Sequence, residues 1–404
     1  MASHKGGRVG KPRILIAGAG IGGIVGALAL LQRGFEVELY EQATDLREIG
    51  AGVQISPNGS RVLRALGLQS AMEAIASVPT AKDMRLFNTG QAWRVQDLGA
   101  TAQQRFGSPY WLVHRGDFHQ VLVQALSERA PGSVHVGARV TDFQQGADGV
   151  TLLLEGGGQV NGDVLIGADG VHSRVRQALF GTGRATFTGF MAWRGVVPMD
   201  RLPTRLRQQH GNTWIGPHGH VVTYPLRRGE LLNFVTAIER DDWLVESWSE
   251  AGTVEECRRD FAPWHEDVLT IIDVIDVPYK WAMLGRDPLE HWSVGRVTLL
   301  GDACHPTLPF LAQGANMAIE DGMVLARCLD FFDSPEALRR YEAARLDRTS
   351  RIVRGSLENV SRYHNPQLAD PATAQDFMTR EFAPGAMGVR YDWLYEYDAL
   401  SVPI

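Results

Sequence analysis

A glycine fingerprint near the start of the chain constrains its fold more than any other feature. The segment from Arg13 to Gln42 reads RILIAGAGIGGIVGALALLQRGFEVELYEQ, with its glycines spaced as Gly18-x-Gly20-x-x-Gly23. An apolar strand precedes the glycines, and an apolar helix and a second strand follow, which is the βαβ order. These glycines allow a tight turn, a close backbone approach to a pyrophosphate and close helix–strand packing. The segment therefore predicts an α/β domain that binds a dinucleotide.

Glu41 ends the second strand, 18 residues after Gly23. A carboxylate at this place accepts hydrogen bonds from the hydroxyls of a ribose. NAD and FAD share the fingerprint, so it does not distinguish the two cofactors. The alternative is a glycine-rich turn that holds no ligand.

Two further strand-to-helix motifs favour FAD. The segment DVLIGADGVHSRVRQAL contains Asp169 directly after a strand. The segment RVTLLGDACHPTLPFLAQGANMAIED contains Asp302 after another strand and a helix that begins near Gly314. Either aspartate alone has the alternative of a simple helix cap. Three spaced sites suit a long ligand such as FAD. Asp302 is expected to bind its ribityl hydroxyls. Helix amides are expected to support its flavin carbonyls, and these amides are those near Gly314, Ala315 and Asn316.

The composition is that of an ordinary globular protein of 404 residues, with 44% hydrophobic and 21% charged residues. The net charge of -6 argues against a nucleic-acid partner. Three cysteines without CxxC spacing predict neither a disulfide framework nor a zinc or other metal site, and they suit a cytoplasmic protein. No apolar run is long enough for a membrane span. The basic opening MASHKGGRVGK is interpreted as a flexible leader.

Taken together, the three motifs resemble those of the single-component flavoprotein aromatic hydroxylases, the para-hydroxybenzoate hydroxylase fold family. Within that family, the chain resembles the salicylate 1-hydroxylases and the 3-hydroxybenzoate 6-hydroxylases. The resemblance implies a Rossmann-like FAD-binding domain with an inserted β-rich substrate lobe and C-terminal helices. The expected segments are 1–180 and 286–330 for the FAD domain, 181–285 for the lobe and 331–404 for the C-terminal helices and aromatic tail.

The same resemblance implies non-covalent FAD, with NADH or NADPH as a transient co-substrate that has no separate domain. It implies that Arg115 contacts FAD, that Val140 packs near the adenine and that Asp169 serves both FAD and NAD(P)H binding. A homodimer is common in such families.

The substrate side is predicted on the strand in HGHVVTYPL. The two-residue period of a strand places His218, His220, Val222 and Tyr224 on one face. By resemblance, His220 and Tyr224 match a general-base pair, and an imidazole near neutrality can accept a phenolic proton. The alternative is a structural pair of polar side chains.

The neighbouring segment GFMAWRG offers two alternative sets of cavity-lining residues, which are Phe190, Ala192 and Arg194, or Met191 and Trp193. Arg194 is a candidate for the substrate carboxylate, with a salt-bridged structural arginine as the alternative.

Two positions depart from particular relatives. Gln54 stands where 6-hydroxynicotinate hydroxylases have a histidine, which argues against that substrate. Pro309 stands where 3-hydroxybenzoate 6-hydroxylases have a glutamine, and it is similar to the proline whose carbonyl faces the substrate in para-hydroxybenzoate hydroxylase.

The resemblance implies hydroxylation of a phenolic acid such as salicylate or a hydroxybenzoate. NAD(P)H reduces FAD, O2 adds to give a C4a-hydroperoxide, and the ring takes the distal oxygen. CO2 leaves as well if the attacked carbon carries the carboxylate. The alternatives are a hydroxylase of another phenol or heteroaromatic, a non-hydroxylating flavoprotein and a pure NAD-binding module.

Overall fold

The described part of this computed structural model comprises residues 10–46, 51–183, 186–240 and 250–404. Its strands are β1 (Arg13–Ala17), β2 (Glu36–Tyr40), β3 (Gly52–Ile55), β4 (Ala81–Leu86), β5 (Ala92–Asp97), β6 (Trp111–His114), β7 (Val134–His135), β8 (Val140–Gln145), β9 (Val150–Leu154), β10 (Gln159–Gly162), β11 (Val164–Gly167), β12 (Thr186–Pro198), β13 (Gly211–Gly216), β14 (Gly219–Leu226), β15 (Leu231–Glu239), β16 (Glu250–Ala251), β17 (Tyr279–Gly285), β18 (Ser293–Val294) and β19 (Val297–Leu299). Its α-helices are α1 (Ile21–Leu31), α2 (Pro57–Ala65), α3 (Gln69–Ile75), α4 (Ala100–Phe106), α5 (Arg115–Arg129), α6 (Arg174–Phe180), α7 (Val254–Asp260), α8 (Glu266–Asp273), α9 (Gly314–Phe331), α10 (Ser334–Tyr363), α11 (Pro371–Glu381) and α12 (Pro384–Tyr395).

A six-stranded sheet in the order β18-β19-β11-β1-β2-β7 forms the centre of the first domain. Strands β19, β11, β1, β2 and β7 run parallel, and β18 is the antiparallel edge strand. The strands are apolar because helices cover the faces of such a sheet. Since parallel strands end at one edge, the segments after β1, β2, β11 and β19 meet there. The predicted α/β fold is confirmed, and this edge carries all three sequence motifs.

An eight-stranded sheet in the order β16-β17-β12-β15-β14-β13-β4-β5 forms the second lobe. Its pairs are antiparallel except for β13 with β4. Strands β4 and β5 precede residue 180, so this sheet draws on chain outside the range 181–285. The four-segment division of the chain stays a prediction.

Helices α1 and α9 cross at glycines, which brings their backbones into contact. A Cβ on Gly322 would lie 2.8 Å from the backbone nitrogen of Gly26. In the preceding turn of each helix, a Cβ on Gly22 would lie 3.1 Å from the Cβ of Ala318. The crossing therefore holds the two helices together near the edge that carries the motifs.

None of the helices in the described ranges combines the length and apolar character that a bilayer crossing requires.

Candidate active site

The glycine loop after β1 is shaped for a ligand. Gly18 has a φ of 102°, and a Cβ on it would lie 2.5 Å from the carbonyl oxygen of Ala168. A Cβ on Gly23 would lie 2.2 Å from the carbonyl oxygen of Gly18. In contrast, a Cβ on Gly20 would meet nothing within 4 Å. The first and third glycines thus permit the turn and the packing, while the second borders open space at the N-terminus of α1.

Glu41 contacts this loop directly. Its Oε2 accepts a hydrogen bond of 2.8 Å from the amide of Ala19, and its Oε1 accepts one of 2.9 Å from the amide of Ala43. Each carboxylate oxygen has a second lone pair, so both can still accept from ribose hydroxyls. The structure therefore brings Glu41 to the glycine loop, as the ribose assignment requires.

Asp169 caps a helix, which is one of the two functions that the sequence left as alternatives, and its binding of a ligand stays a prediction. Its Oδ2 accepts hydrogen bonds from the amides of Arg174 and Val175, at 2.7 and 3.2 Å, so it caps α6. Its Oδ1 is buried and has no hydrogen-bond partner among the described residues. Burial raises the pKa of this carboxyl. A ligand donor at Oδ1 would satisfy the remaining oxygen.

Asp302 lies in a short turn after β19 and is accessible to solvent. Among the described residues, no side-chain cap hydrogen bond is present at the start of this turn or at the start of α9. Nearby protein atoms raise the pKa of this carboxyl by limiting its hydration, while His305 and Arg115 oppose the effect. A carboxyl that is accessible to solvent but has protein atoms on most sides is typical of the wall of a cleft.

The N-terminus of α9 lies beside Asp302. A Cβ on Gly314 would lie 4.0 Å from Oδ1 of Asp302. None of the described side chains caps this helix, so its first amides need other partners, and the residues concerned are Gly314, Ala315 and Asn316. These amides and Asp302 fit the flavin end of FAD, whereas the glycine loop and Glu41 fit the adenosine end.

A buried polar network that the sequence analysis missed holds this helix in place. Asn58 donates from Nδ2 to Oε1 of Gln313 at 3.0 Å and to Oε1 of Glu320 at 2.6 Å. The side chain of Asn316 accepts from the amide of Ser56 and donates to the carbonyl of Gln54. The signal was present, since polar residues in an otherwise apolar helix need buried partners.

Ion pairs on the other side of α9 complete its support. Buried Arg345 lies 2.7 Å from Glu320 and 2.7 Å from Asp321, and His305 lies 2.6 Å from Asp321. Burial opposes ionisation of Asp321, but the charges of His305 and Arg345 outweigh it and lower its pKa to about 2. Cys304, His305 and Asp321 bring potential metal ligands within 4.8 Å of one another. Because Asp321 is already paired with two cations, we keep the prediction of no metal.

Val140 and Arg115 occupy different parts of the FAD domain. Val140 begins β8 and is 8% exposed, and it packs into the core of the parallel sheet. Arg115 is the first residue of α5, and its charge acts on both Asp302 and Arg194. Arg115 therefore lies between the predicted flavin side and the predicted substrate side.

The large sheet separates the two alternative lining sets. Phe190 and Ala192 belong to an apolar cluster on the face that carries His220. Met191 and Trp193 belong to the cluster on the opposite face, against α7 and α8. Only the first set therefore faces the FAD domain.

Arg194 continues the first set along β12. It is half-buried, and its guanidinium lies over the rings of Tyr279 and Trp281, at 5.8 and 5.4 Å. Burial and the neighbouring Arg115 lower its pKa. Its predicted contact with a substrate carboxylate stays a prediction.

His220 and Tyr224 are both buried but do not touch each other. Four residues along a strand correspond to about 13 Å. His220 contacts the ring of Phe310, with centroids 5.2 Å apart, and its Nδ1 lies 2.8 Å from Nε2 of His364. Burial lowers the pKa of His220 well below its usual value, which differs from the expected near-neutral imidazole.

Tyr224 lies at the other end of this face. Its side chain is hydrogen-bonded to the side chain of Gln54. Oε1 of Gln54 also accepts a hydrogen bond of 2.7 Å from the hydroxyl of Tyr110. Burial raises its pKa, so the phenol stays protonated. A Cβ on Gly52 would lie 2.4 Å from the Tyr224 ring, which places the FAD domain against this residue.

Pro309 and Ala312 lie in the loop between Asp302 and α9. Pro309 is exposed, and its carbonyl accepts a hydrogen bond of 3.0 Å from the amide of Ala312. One lone pair of that carbonyl is left for a ligand. Ala312 has a φ of 53°, a left-handed conformation that costs energy for a non-glycine residue and marks many functional sites. No sequence pattern indicated it.

Comparisons with known proteins agree with this arrangement. Residues 11–356 match a family model described as an FAD binding domain. The chain is 39% identical to a 3-amino-4-hydroxybenzoate 2-monooxygenase of Streptomyces platensis, over 97% of this chain and 98% of that protein. It is 38% identical to a 3-hydroxybenzoate 6-hydroxylase of Polaromonas naphthalenivorans, over 95% and 96%. The crystal structure of Klebsiella pneumoniae HpxO complexed with FAD and uric acid has a TM-score of 0.81 at 28% identity, over 94% and 96%.

The fold and the site thus define an FAD-binding flavoprotein. Within that class, the chain belongs to the family of single-component FAD-dependent aromatic-ring monooxygenases. A pure NAD-binding module is thereby excluded.

Proposed function

We propose that this enzyme hydroxylates a phenolic aromatic acid of the salicylate or hydroxybenzoate type, using O2 and either NADH or NADPH. The observation that carries the proposal is the position of His220. This buried histidine lies on the sheet face that packs against the loop containing Pro309. The named activities of the relatives from Streptomyces and Polaromonas, both on hydroxybenzoates, support this substrate class.

Bound FAD supplies the redox chemistry that takes electrons from NAD(P)H and activates O2. The chain supplies the rest. Glu41, Asp169 and Asp302 hold the cofactor, and Pro309 and the amides at the start of α9 flank its reacting end. Arg194 binds the substrate carboxylate, Tyr224 orients the ring, and His220 takes the phenolic proton.

Removing that proton matters because the phenolate is the better nucleophile. A phenol with a pKa near 10 is ionised about once in a thousand molecules at pH 7, which corresponds to roughly 4 kcal/mol. A base beside the hydroxyl and nearby cations lower this cost. The half-buried Lys82, whose charge acts on His220, is one such cation that the sequence analysis did not identify.

A substrate screen tests the proposal. The FAD-loaded enzyme is mixed with salicylate, 3-hydroxybenzoate or 3-amino-4-hydroxybenzoate, and NADH or NADPH oxidation and product mass are recorded together. We expect at least one acid to stimulate oxidation and to gain one oxygen atom, with or without loss of CO2. Stimulated oxidation that yields only H2O2 with every acid would instead indicate a non-hydroxylating flavoprotein.

A heteroaromatic substrate is the second candidate, because the structure of HpxO holds uric acid in a similar fold. Uric acid and 6-hydroxynicotinate therefore belong in the same screen. Exclusive hydroxylation of either one would favour this candidate. The proposal also includes a cytoplasmic location and a homodimer. Gel filtration tests the homodimer.

A further inference from the structure

A chain of hydrogen bonds joins the buried His220 to the protein surface. Nδ1 of His220 lies 2.8 Å from Nε2 of His364, and Nδ1 of His364 lies 3.0 Å from Oε1 of Glu239. Oε2 of Glu239 lies 2.7 Å from Nδ1 of His218. The side chain of His364 is 2% exposed, that of Glu239 is 40% exposed and that of His218 is 73% exposed. The contacts therefore run without a gap from the interior to solvent.

We propose that these four side chains form a relay that carries the phenolic proton of the substrate from His220 to solvent. His364, Glu239 and His218 then act through His220 and are positioning residues for the reaction. This inference rests on the proposed function, because it takes His220 as the first acceptor.

The carboxylate of Glu239 sets the direction of the relay. An ionised carboxylate can only accept, so Nδ1 of His364 carries a hydrogen and donates it to Glu239. Nε2 of a neutral His364 is then an acceptor, and the hydrogen between the two rings belongs to Nδ1 of His220. His220 consequently keeps its lone pair on Nε2, which is the form that a base requires.

Each transfer balances at its atoms. The phenolic O–H bond breaks as an N–H bond forms at Nε2 of His220, and the substrate keeps the electron pair as a phenolate. The proton on Nδ1 of His220 moves to Nε2 of His364, and the proton on Nδ1 of His364 moves to Glu239. Glu239 releases it to His218 or to water, and the same path in reverse returns a proton to the product and restores both rings.

The surroundings of His220 explain why one histidine is insufficient. Burial lowers its pKa well below the usual value, and His364 and Lys82 lower it further. Burial also lowers the pKa of His364, to about 4. A base with a lowered pKa gives up its proton readily, which favours passing the proton along the hydrogen-bonded chain to the surface. The other groups packed around His220 are the rings of Phe310 and Tyr363, and burial keeps the Tyr363 phenol protonated.

His218 provides a substitution that leaves the fold intact. It lies in the tight turn between β13 and β14 with a φ of 62°. Asparagine adopts this left-handed conformation more readily than most residues. His218→Asn therefore removes the imidazole without straining the turn.

The first test follows proton removal directly, in FAD-loaded enzyme without NAD(P)H. The probe is a nitro-substituted hydroxybenzoate, whose phenolate absorbs visible light, and its ionisation is followed by stopped flow across a range of pH. We expect Glu239→Gln, whose amide oxygen still accepts from His364 but takes no proton, to slow phenolate formation on the order of 10- to 100-fold. His364→Ala should slow it similarly and recover with added imidazole, and His218→Asn should have a smaller effect because Glu239 itself reaches solvent.

A matched control separates the relay from a general effect of removing a surface histidine. His291 is also exposed and lies 3.5 Å from Glu342. His291→Gln should leave phenolate formation unchanged. Suppose that Glu239→Gln and His364→Ala ionise the probe at the parent rate and His220→Ala does not. The relay is then wrong, while the assignment of His220 as the base is retained. If His220→Ala also matches the parent, both are wrong.

The second test needs no substrate. Nitrogen-15 NMR of histidine-labelled, FAD-loaded enzyme reports which ring nitrogen carries the proton. We expect the proton on Nδ1 in both His220 and His364. A proton on Nε2 of His220 in the resting enzyme would overturn the relay.

Discussion

The carboxylate of Glu41 both orders the glycine loop and offers acceptors to a ribose. Glu41→Ala removes charge-assisted hydrogen bonds and leaves the amide of Ala19 without its partner. We expect FAD affinity to fall by roughly 1.5–3 kcal/mol. Glu36→Ala, an exposed carboxylate at the other end of β2, is the control and should not change affinity. Flavin fluorescence titration of the apoprotein gives both values, and equal affinities would contradict the ribose assignment.

Asp302 is predicted to bind FAD at the opposite end of the cofactor. Asp302→Ala should give a folded protein with low flavin occupancy, or with a displaced flavin that wastes NAD(P)H as H2O2. The physical reason is the loss of the acceptor beside the first amides of α9. Asp148→Ala, at an exposed turn, is the control. Full occupancy and full coupling in Asp302→Ala would leave this carboxylate without a role in FAD binding.

At the scale of elements, the crossing of α1 and α9 supports the site through the backbone. Gly322→Ala places a methyl group 2.8 Å from the nitrogen of Gly26, so the helices must separate. We expect a loss of about 1–3 kcal/mol in unfolding free energy, together with weaker FAD binding. Gly355→Ala in α10 is the control, because its Cβ would make only a 3.6 Å contact with Leu311. Urea unfolding that shows no difference between these variants would contradict the close crossing.

The packing of α10 against the large sheet predicts a pH dependence of stability. His364 has a pKa of about 4 in the folded protein and about 6.5 when unfolded. Between these values the unfolded chain binds more protons, so stability falls as pH falls, by about 3 kcal/mol at most for this group. The lowered pKa of Asp321 reduces stability only below about pH 4. The pKa of His305 is raised, so its stabilising contribution is already complete below about pH 6.5 and does not change in this window.

Urea unfolding at pH 7.5 and pH 4.5 measures this effect. The parent should lose more stability than His364→Gln between the two values. Equal losses would mean that His364 is not held neutral by burial.

Local patterns identified the elements, but they could not identify contacts across the chain. The glycine spacing, the strand period and the aspartates after strands predicted the FAD edge, because each of those features acts within a few residues. His364 follows α10 and contacts His220, which lies 144 positions earlier in the chain. Strands β4 and β5 join the large sheet although they lie between FAD-domain segments. Such pairings depend on tertiary packing, which local propensity does not encode.

For the whole molecule, function depends on how the large sheet meets the FAD domain. The amide of Gly52 donates a 2.7 Å hydrogen bond to Oδ1 of Asn233, and Gly52 also contacts the Tyr224 ring. Phe310, in the loop before α9, contacts His220. The two predicted halves of the site therefore meet through direct contacts, although they lie on segments far apart in the chain.

The measurement that tests this account most directly is the yield of hydroxylated product and of H2O2 per NAD(P)H consumed, for the parent and for His220→Ala. We expect His220→Ala to bind substrate and still oxidise NAD(P)H, but to divert most of the reducing equivalents to H2O2, because the phenol is no longer deprotonated. Tyr224→Phe should show a milder diversion or weaker substrate binding. If His220→Ala forms as much product per NAD(P)H as the parent, His220 is a structural residue and the proposed site is wrong.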